Sequence, residues 1–219
     1  GWCDPVMYDW NQDGKKDLLI GEFRTGTENL EENISHLHRE SKIRVYLNTG
    51  TRSAPKFSDK FDYAKDKTGA RLNVVTECCI GFTPRFHDLN NDGFTDIITG
   101  SFLGQVTCYY GSKDGFEPPI DLEQKGFPAP GTKKLGPPIT DNTGERYWSY
   151  SAADFADVDG DGLLDLITGG GALRVSRNIG TKTNPVFDKR DWLRDTRGDS
   201  LVICQYANLF FPLGLSSAV

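Results

Sequence analysis

Three loops of this chain carry oxygen-bearing side chains at alternate positions. Each loop begins with an aspartate and has such a side chain at its positions 1, 3, 5 and 9. These residues are Asp9, Asn11, Asp13 and Asp17 in the first loop, Asp88, Asn90, Asp92 and Asp96 in the second, and Asp157, Asp159, Asp161 and Asp165 in the third. Alternate positions of a tight loop converge on one centre, and Ca²⁺ takes about six to eight oxygen ligands. The spacing therefore predicts three calcium sites.

Two further features of the loops favour calcium. A glycine follows position 5 in every copy and permits the sharp turn that the site needs. The backbone carbonyl of position 7 adds a ligand whatever its side chain, at Lys15, Phe94 and Leu163. An EF-hand is excluded, because its glutamate at position 12 would fall on Ile20, Thr99 and Thr168. A single loop of this kind could be a turn without metal, but three complete copies favour the metal.

The loops belong to an internal repeat that organises the whole chain. Met7, Phe86 and Phe155 each stand two residues before a leading aspartate. Downstream, residues 44–51 match residues 174–181, and both segments are followed by a Pro-x-Phe sequence. We therefore interpret residues 1–219 as one region with three repeats, at approximately 1–78, 79–147 and 148–211.

Each repeat has the pattern of short strands separated by turns. One short apolar strand precedes each Asp-rich loop and another follows it. A third strand is predicted over 105–110 and 173–177, and a fourth over 71–76 and 201–204. Four antiparallel strands per repeat are the plan of a β-propeller blade. We predict an all-β fold of three calcium-loop blades plus the start of a fourth, in a larger propeller, because closure needs about four to eight blades.

One segment interrupts the repeat. Residues 25–41 stand where the other copies need only a short hairpin connection. Leu30, Ile34 and Leu37 lie at helical spacing within this segment. The spacing predicts a helical insertion that protrudes from the blade core.

Composition and motifs exclude several classes of function. The 219 residues are 26% charged and 37% hydrophobic, as in ordinary soluble proteins. A net charge of −6 without a basic tract argues against a nucleic-acid partner, and no stretch approaches the roughly 18 apolar residues of a membrane span. Three Ca²⁺ ions would bring the formal charge to zero. No GxSxG, HExxH or phosphate-loop motif is present, so the sequence favours a non-enzymatic role without settling it.

The loops and their flanks resemble the FG-GAP/VCBS repeats of integrin-like β-propellers, through the pattern D-x-[DN]-x-D-G-x-x-D-[LI]-[LI]-x-G. The literal Phe-Gly and Gly-Ala-Pro signatures are absent. The resemblance implies one calcium ion in each blade, secretion to an extracellular or periplasmic location with a leader absent from this chain, and a binding or scaffold role in carbohydrate binding or cell adhesion. The alternative that it implies is a segment of a secreted polysaccharide-degrading enzyme, either a lyase or a glycoside hydrolase.

Four side chains near the second and third loops are candidates for contact with a glycan or protein ligand. Residues just before the loops alternate in direction, so one set is expected to face the propeller axis or its mouth. Aromatic and guanidinium groups in that set suit a sugar or an acidic ligand. The candidates are Arg85, His87, Trp148 and Tyr150. Further blades or other subunits are expected as additional partners, because an open array of blades exposes strand edges.

Overall fold

The computed structural model describes residues 3–22, 39–76, 81–100, 106–122, 152–169 and 173–201 of the chain. Within these ranges the chain forms β-strands and no α-helix, and none of it has the long apolar helix that a bilayer crossing requires. The first five strands are β1 (Cys3–Tyr8), β2 (Asp17–Glu22), β3 (Arg39–Tyr46), β4 (Asp62–Tyr63) and β5 (Asn73–Thr76). The next six are β6 (Arg85–His87), β7 (Asp96–Gly100), β8 (Val106–Tyr109), β9 (Gly111–Ser112), β10 (Gly115–Phe116) and β11 (Ile120–Asp121). The last four are β12 (Ala152–Ala156), β13 (Asp165–Gly169), β14 (Leu173–Ser176) and β15 (Asp191–Trp192).

Three antiparallel sheets follow one another along the chain. Sheet 1 has the order β1-β2-β3-β4, with β5 also paired to β3. Sheet 2 has the order β6-β7-β8-β11, and sheet 3 has the order β12-β13-β14-β15. The small hairpin of β9 and β10 lies between β8 and β11 in the sequence. Each sheet contains a path of four antiparallel strands, to which sheet 1 adds β5. This confirms the predicted all-β fold of propeller blades.

The fourth strands lie partly where the sequence did not place them. The strand expected over 71–76 exists as β5, but it pairs with residues 39–42, the first half of β3. The second half of β3 pairs with β4, a strand of only two residues. Because β3 has eight residues, its two halves have different partners. In sheet 3 the fourth strand is β15, and residues 202–204 of the segment predicted there lie outside the described residues.

The helical insertion predicted over residues 25–41 overlaps the described residues only at its end. Residues 25–38 lie outside the described residues. Residues 39–41 belong to β3 and pair with β5. The buried Ser41 hydroxyl accepts a hydrogen bond from the Phe82 N–H at 2.7 Å, so the end of this segment is part of the blade core. The boundary at residue 41 was therefore wrong.

Two apolar cores lie between neighbouring sheets. The core between sheets 1 and 2 contains Leu19, Ile43, Val45, Ala64, Leu72, Val74, Phe82, Ile97 and Tyr109. The core between sheets 2 and 3 contains Leu89, Ile98, Val106, Cys108, Ala153, Phe155, Leu166 and Phe187. Burial of each large apolar side chain contributes about 1.5–3 kcal/mol, so the sheets are held together chiefly through these cores.

Tyr109 ties sheet 2 to sheet 1 by two hydrogen bonds. Its hydroxyl donates to the Asn73 carbonyl at 2.6 Å and accepts from the Asn73 N–H at 2.9 Å. Asn73 lies in β5 and Tyr109 in β8, so the pair joins the two sheets directly. Burial raises the pKa of Tyr109 to about 12, and the hydrogen bond with Asn73 acts in the opposite direction.

The substitution Tyr109→Phe is expected to lower the free energy of unfolding by about 1–3 kcal/mol, because it leaves both backbone groups of Asn73 without their partner. Denaturant unfolding measures this loss. The control is Tyr8→Phe, since the Tyr8 ring stacks on Phe86 but its hydroxyl makes no hydrogen bond within the described residues. Equal losses from the two substitutions would contradict the role assigned to the Tyr109 hydroxyl.

Candidate metal centres

Each Asp-rich loop connects the first strand of a sheet to the second, and the three loops share one backbone form. The fourth residue of each loop is left-handed, with φ of 58° at Gln12, 54° at Asn91 and 78° at Gly160. The glycine at the sixth position is also left-handed, with φ of 85° at Gly14, 89° at Gly93 and 85° at Gly162. Such residues reverse the chain within a few positions, and asparagine and glycine adopt this conformation most readily.

The side chains at positions 1, 3 and 5 are held against this turn by backbone N–H groups. In the second loop the Asp88 carboxylate accepts from the Asp92 and Gly93 N–H groups at 3.0 and 2.9 Å. The Asn90 side-chain oxygen accepts from the Asp92 N–H at 3.2 Å, and the Asp92 carboxylate accepts from the Phe94 N–H at 2.8 Å. The same bonds recur in the first and third loops.

The aspartate at position 9 is buried in every loop and fastens the loop to the third strand of its sheet. One carboxylate oxygen accepts from the N–H that follows position 1, at Trp10 (2.9 Å), Leu89 (2.7 Å) and Val158 (3.1 Å). The other accepts from an N–H just beyond the third strand, at Asn48 (2.7 Å), Gly111 (2.8 Å) and Asn178 (2.9 Å). The buried carboxylates are those of Asp17, Asp96 and Asp165.

The second loop shows the electrostatic consequence of this arrangement. Burial, with smaller contributions from the nearby Asp92 and Asp88 carboxylates, raises the pKa of Asp96 to about 6. Its hydrogen bonds from Gly111 and Leu89 act in the opposite direction. The loop thus concentrates negative charge at a buried group, and a bound cation would relieve that repulsion.

The third loop brings three carboxylates close together and also contains a cationic side chain. Oxygens of Asp157, Asp159 and Asp165 lie within 4.8 Å of one another. The Arg177 guanidinium donates to Asp165 at 3.0 Å and lies 3.3 Å from Asp159. Asp159 stands where the other loops have an asparagine, so the third loop has one more carboxylate than each of the others. The positive charge of Arg177 offsets that additional negative charge.

The three loops fit a hard divalent cation by their donor chemistry. Positions 1, 3, 5 and 9 offer side-chain oxygens, and the carbonyl of position 7 is also an oxygen. Ca²⁺ takes oxygen ligands of this kind in flexible geometry, whereas Mg²⁺ demands a near-ideal octahedron and retains more water. The donor types of each loop suit calcium, but within the described part of the chain only the third loop brings three carboxylates within 4.8 Å of one another.

The candidate ligand residues Arg85 and His87 lie in β6 and contact carboxylates of the neighbouring sheets. Arg85 donates to Asp4 of β1 at 2.7 Å and lies 4.0 Å from Asp154 of β12. A ring nitrogen of His87 lies 2.8 Å from Asp154. These contacts join the first strands of all three sheets, and a ligand role for the two residues stays a prediction. Trp148 and Tyr150 lie outside the described residues.

Sequence reasoning missed the part that Asn48 and Asn178 play in the loops. Besides its N–H bond to the position 9 aspartate, each has a side-chain oxygen that accepts two backbone N–H groups of the turn that follows. The distances are 2.9 and 3.1 Å at Asn48, and 3.0 and 3.1 Å at Asn178. The matching segments 44–51 and 174–181 contained the signal, because the asparagine and the glycine two residues later recur in both.

Meander sheets of four strands, each with the same Asp-rich loop between its first two strands, define a repeat protein of the β-propeller-blade class. Residues 88–168 match the FG-GAP-like repeat family. The chain is also 27% identical to integrin alpha-4 of Xenopus laevis over 184 residues, which make up 82% of this chain and 15% of the integrin. These likenesses support an integrin-like FG-GAP repeat protein. The chain spans only a small part of the length of that relative.

Integrin-type FG-GAP repeats generally bind calcium, and they indicate an extracellular binding or scaffold domain. The matched region begins at the leading aspartate of the second loop and ends in β13. It therefore contains the whole of the second and third loops. The first loop has the same residue types as the second at positions 1, 3, 5, 6 and 9, and it has the same backbone form and the same hydrogen bonds from backbone N–H groups.

Proposed function

We propose that this chain is a calcium-stabilised extracellular propeller region that binds a protein or carbohydrate, with one Ca²⁺ in each of its three loops. The observation that carries the proposal is the threefold recurrence of one loop geometry, with a buried aspartate at position 9 in every copy. A turn that served only to reverse the chain would not need this buried carboxylate. The likeness to an integrin supports the extracellular binding role.

The metal ligands follow from the loop positions. Each ion would be held by the side chains at positions 1, 3, 5 and 9 and by the carbonyl at position 7. The ligands are Asp9, Asn11, Asp13, Lys15 and Asp17; Asp88, Asn90, Asp92, Phe94 and Asp96; and Asp157, Asp159, Asp161, Leu163 and Asp165. Calcium would add positive charge to that of Lys15, which lies 3.0 Å from Asp13, and of Arg177, which contacts Asp159 and Asp165. The position 9 aspartate also accepts a hydrogen bond from a backbone N–H just beyond the third strand. Binding of an ion in the loop would therefore also stabilise the sheet.

Titration calorimetry with the metal-depleted chain tests the sites individually. The unsubstituted chain should bind three Ca²⁺ ions. Asp92→Ala removes the central ligand of the second loop and is expected to abolish one site while leaving the other two. The matched control is Asn91→Gly, because Asn91 has a left-handed backbone that glycine adopts without strain and its side chain lies between the ligand positions.

Three sites should therefore remain in Asn91→Gly and two in Asp92→Ala. Absence of calcium binding by the unsubstituted chain would contradict the proposal, and so would equal losses from the two substitutions. The substitution Asn91→Ala is a poorer control, since a left-handed alanine adds about 1–2 kcal/mol of strain that has nothing to do with the metal.

The ligand class is tested by probing arrays of glycans and of secreted proteins with the calcium-loaded chain. Binding that disappears on chelation supports the binding role and identifies the class. The substitution Arg85→Ala tests one candidate contact, with circular dichroism to confirm that the sheets persist without the ion pair to Asp4. A calcium-loaded chain that binds neither glycans nor proteins would contradict the binding role.

A further inference from the structure

The third loop departs from the other two at two residues, and these two residues are in contact. Position 3 is an asparagine in the first and second loops and Asp159 in the third. The residue just before the N–H that bonds to the position 9 aspartate is Leu47 in sheet 1, Tyr110 in sheet 2 and Arg177 in sheet 3. An additional carboxylate and an additional guanidinium therefore occur in the same repeat.

Arg177 contacts two of the three carboxylates that converge in this loop. Its Nη1 atom lies 3.0 Å from Oδ2 of Asp165 and 3.3 Å from Oδ2 of Asp159. Both residues belong, with Asp157, to the group whose oxygens lie within 4.8 Å of one another. A single nitrogen atom thus bridges positions 3 and 9, which are two of the proposed calcium ligands.

The contact with Asp165 involves a buried carboxylate. The Asp165 side chain is 1% exposed, whereas those of Arg177 and Asp159 are each 41% exposed. Solvent and salt screen the attraction between exposed groups strongly and act much less on a buried partner. A guanidinium is not deprotonated in proteins. Arg177 therefore places a permanent positive charge at the buried end of the loop.

The charges around the other two loops are arranged differently. In the first loop, Lys15 lies 3.0 Å from Asp13, which is position 5. In the second loop, the charged groups that act on the buried Asp96 are the Asp88 and Asp92 carboxylates, which repel it. Among the described residues, a cation of the chain contacts the position 9 aspartate in the third loop only.

We infer that Arg177 competes with Ca²⁺ for Asp159 and Asp165, so that the third site binds calcium more weakly than the second. This inference rests on the calcium sites proposed above. The guanidinium and the ion both require the carboxylate oxygens of positions 3 and 9, and an oxygen that accepts from Arg177 is less available to a metal. At low calcium, Arg177 supplies positive charge to the loop. As the calcium concentration rises, the ion replaces it, so the third loop responds to calcium over a higher range of concentration than the second.

Titration calorimetry of the substitution Arg177→Leu tests the competition, because leucine is the residue at the equivalent position of sheet 1. Three sites should remain, and the affinity of one should rise by about tenfold or more, since a positive charge beside two ligands opposes a divalent cation. Arg177→Gln should produce the same change, because it also removes the charge while keeping a polar side chain.

The matched control for the change in net charge is Arg197→Leu. Arg197 is 77% exposed and pairs with Asp195 and Asp199 rather than with a loop carboxylate. Its removal should change each calcium affinity by less than about threefold, because exposed charges outside the site are screened. Circular dichroism of every variant confirms that the sheets are retained.

The substitution Asp161→Ala assigns the tightened site to the third loop. Asp161 is position 5 of that loop, and its carboxylate accepts from the Leu163 N–H at 2.8 Å. In the Arg177→Leu chain, Asp161→Ala should abolish the tightened site. In the unsubstituted chain it should abolish a weaker site than Asp92→Ala does.

The melting temperature separates competition from an ion pair that is merely structural. In excess chelator, Arg177→Leu should lower the melting temperature, because Asp159 and Asp165 lose their positive partner. At saturating calcium the variant should melt at the same temperature as the unsubstituted chain or above it, because the ion then supplies that charge. A structural ion pair would cost the same stability in both conditions.

Three outcomes would overturn the competition and leave the proposed calcium sites in place. These are unchanged affinities in Arg177→Leu and Arg177→Gln, an equal rise in Arg197→Leu, and an equal loss of melting temperature with calcium and with chelator. A third site that is tighter than the second in the unsubstituted chain would overturn it as well. An unsubstituted chain that binds no calcium would instead contradict the sites themselves, and the competition with them.

Discussion

Chelation of calcium is expected to lower the melting temperature of this chain by about 15–30 °C. A ligand at 100 times its dissociation constant stabilises the folded state by about 2.7 kcal/mol per independent site, so three sites contribute about 8 kcal/mol. In a domain of this size each kcal/mol moves the melting temperature by about 2–4 °C. Differential scanning calorimetry with saturating calcium and with excess chelator measures the difference.

The structural reason for so large an effect is the position 9 aspartate. Asp17, Asp96 and Asp165 are buried at the start of the second strand, and each bonds both to its loop and to the end of the third strand. Without a cation, Asp96 faces the Asp88 and Asp92 carboxylates of its loop. Asp165 lies close to Asp157 and Asp159, and Arg177 offsets part of that charge. Repulsion there acts directly on the sheet, whereas repulsion in an exposed turn would be relieved by solvent.

Two controls separate calcium binding from general charge screening. Sodium chloride at matched ionic strength should restore little of the lost stability, because screening acts weakly on buried groups. Magnesium should restore less than calcium, since the loops offer an irregular oxygen set. An identical melting temperature with calcium and with chelator would contradict the proposed sites and leave the loops as turns.

The loops could be predicted from the sequence because their chemistry is local. Positions 1 to 9 are close along the chain. The alternation of oxygen-bearing side chains and the glycine at position 6 are therefore sufficient to predict the conformation of the loop. The apolar strand after each loop is equally visible, as in Ile97 and Ile98. The repeat then gave the order of strands, since the same pattern occurs three times.

The fourth strands and the surroundings of equivalent residues in different sheets could not be predicted in the same way. β4 has two residues, too few for any alternation to show, and its pairing depends on the length of β3. Met7 and Phe86 hold the same position in the repeat, yet one is exposed and the other packs in a core. That difference depends on which sheet lies next to them, which no local pattern records.

Gly21 illustrates how a neighbouring sheet constrains a single position. Gly21 lies in β2 of sheet 1, next to Phe82, which precedes the first strand of sheet 2. A Cβ at Gly21 would lie 1.8 Å from the Phe82 carbonyl oxygen and 2.8 Å from its carbon. Gly169 holds the same position in sheet 3, where a Cβ would meet only the Leu173 side chain at 3.7 Å among the described residues. The two glycines hold the same position of the repeat and have different surroundings.

The substitution Gly21→Ala is therefore expected to lower the free energy of unfolding by about 3 kcal/mol or more, because the obstructing atoms are backbone and sheets 1 and 2 must separate to admit the methyl group. Gly169→Ala should leave stability unchanged or raise it by up to about 1 kcal/mol, since alanine loses less conformational entropy than glycine in a strand. Denaturant unfolding in the presence of calcium measures both changes. Similar changes at the two positions would show that the close approach of Phe82 does not constrain Gly21, and that the first two sheets are less tightly joined than the structure indicates.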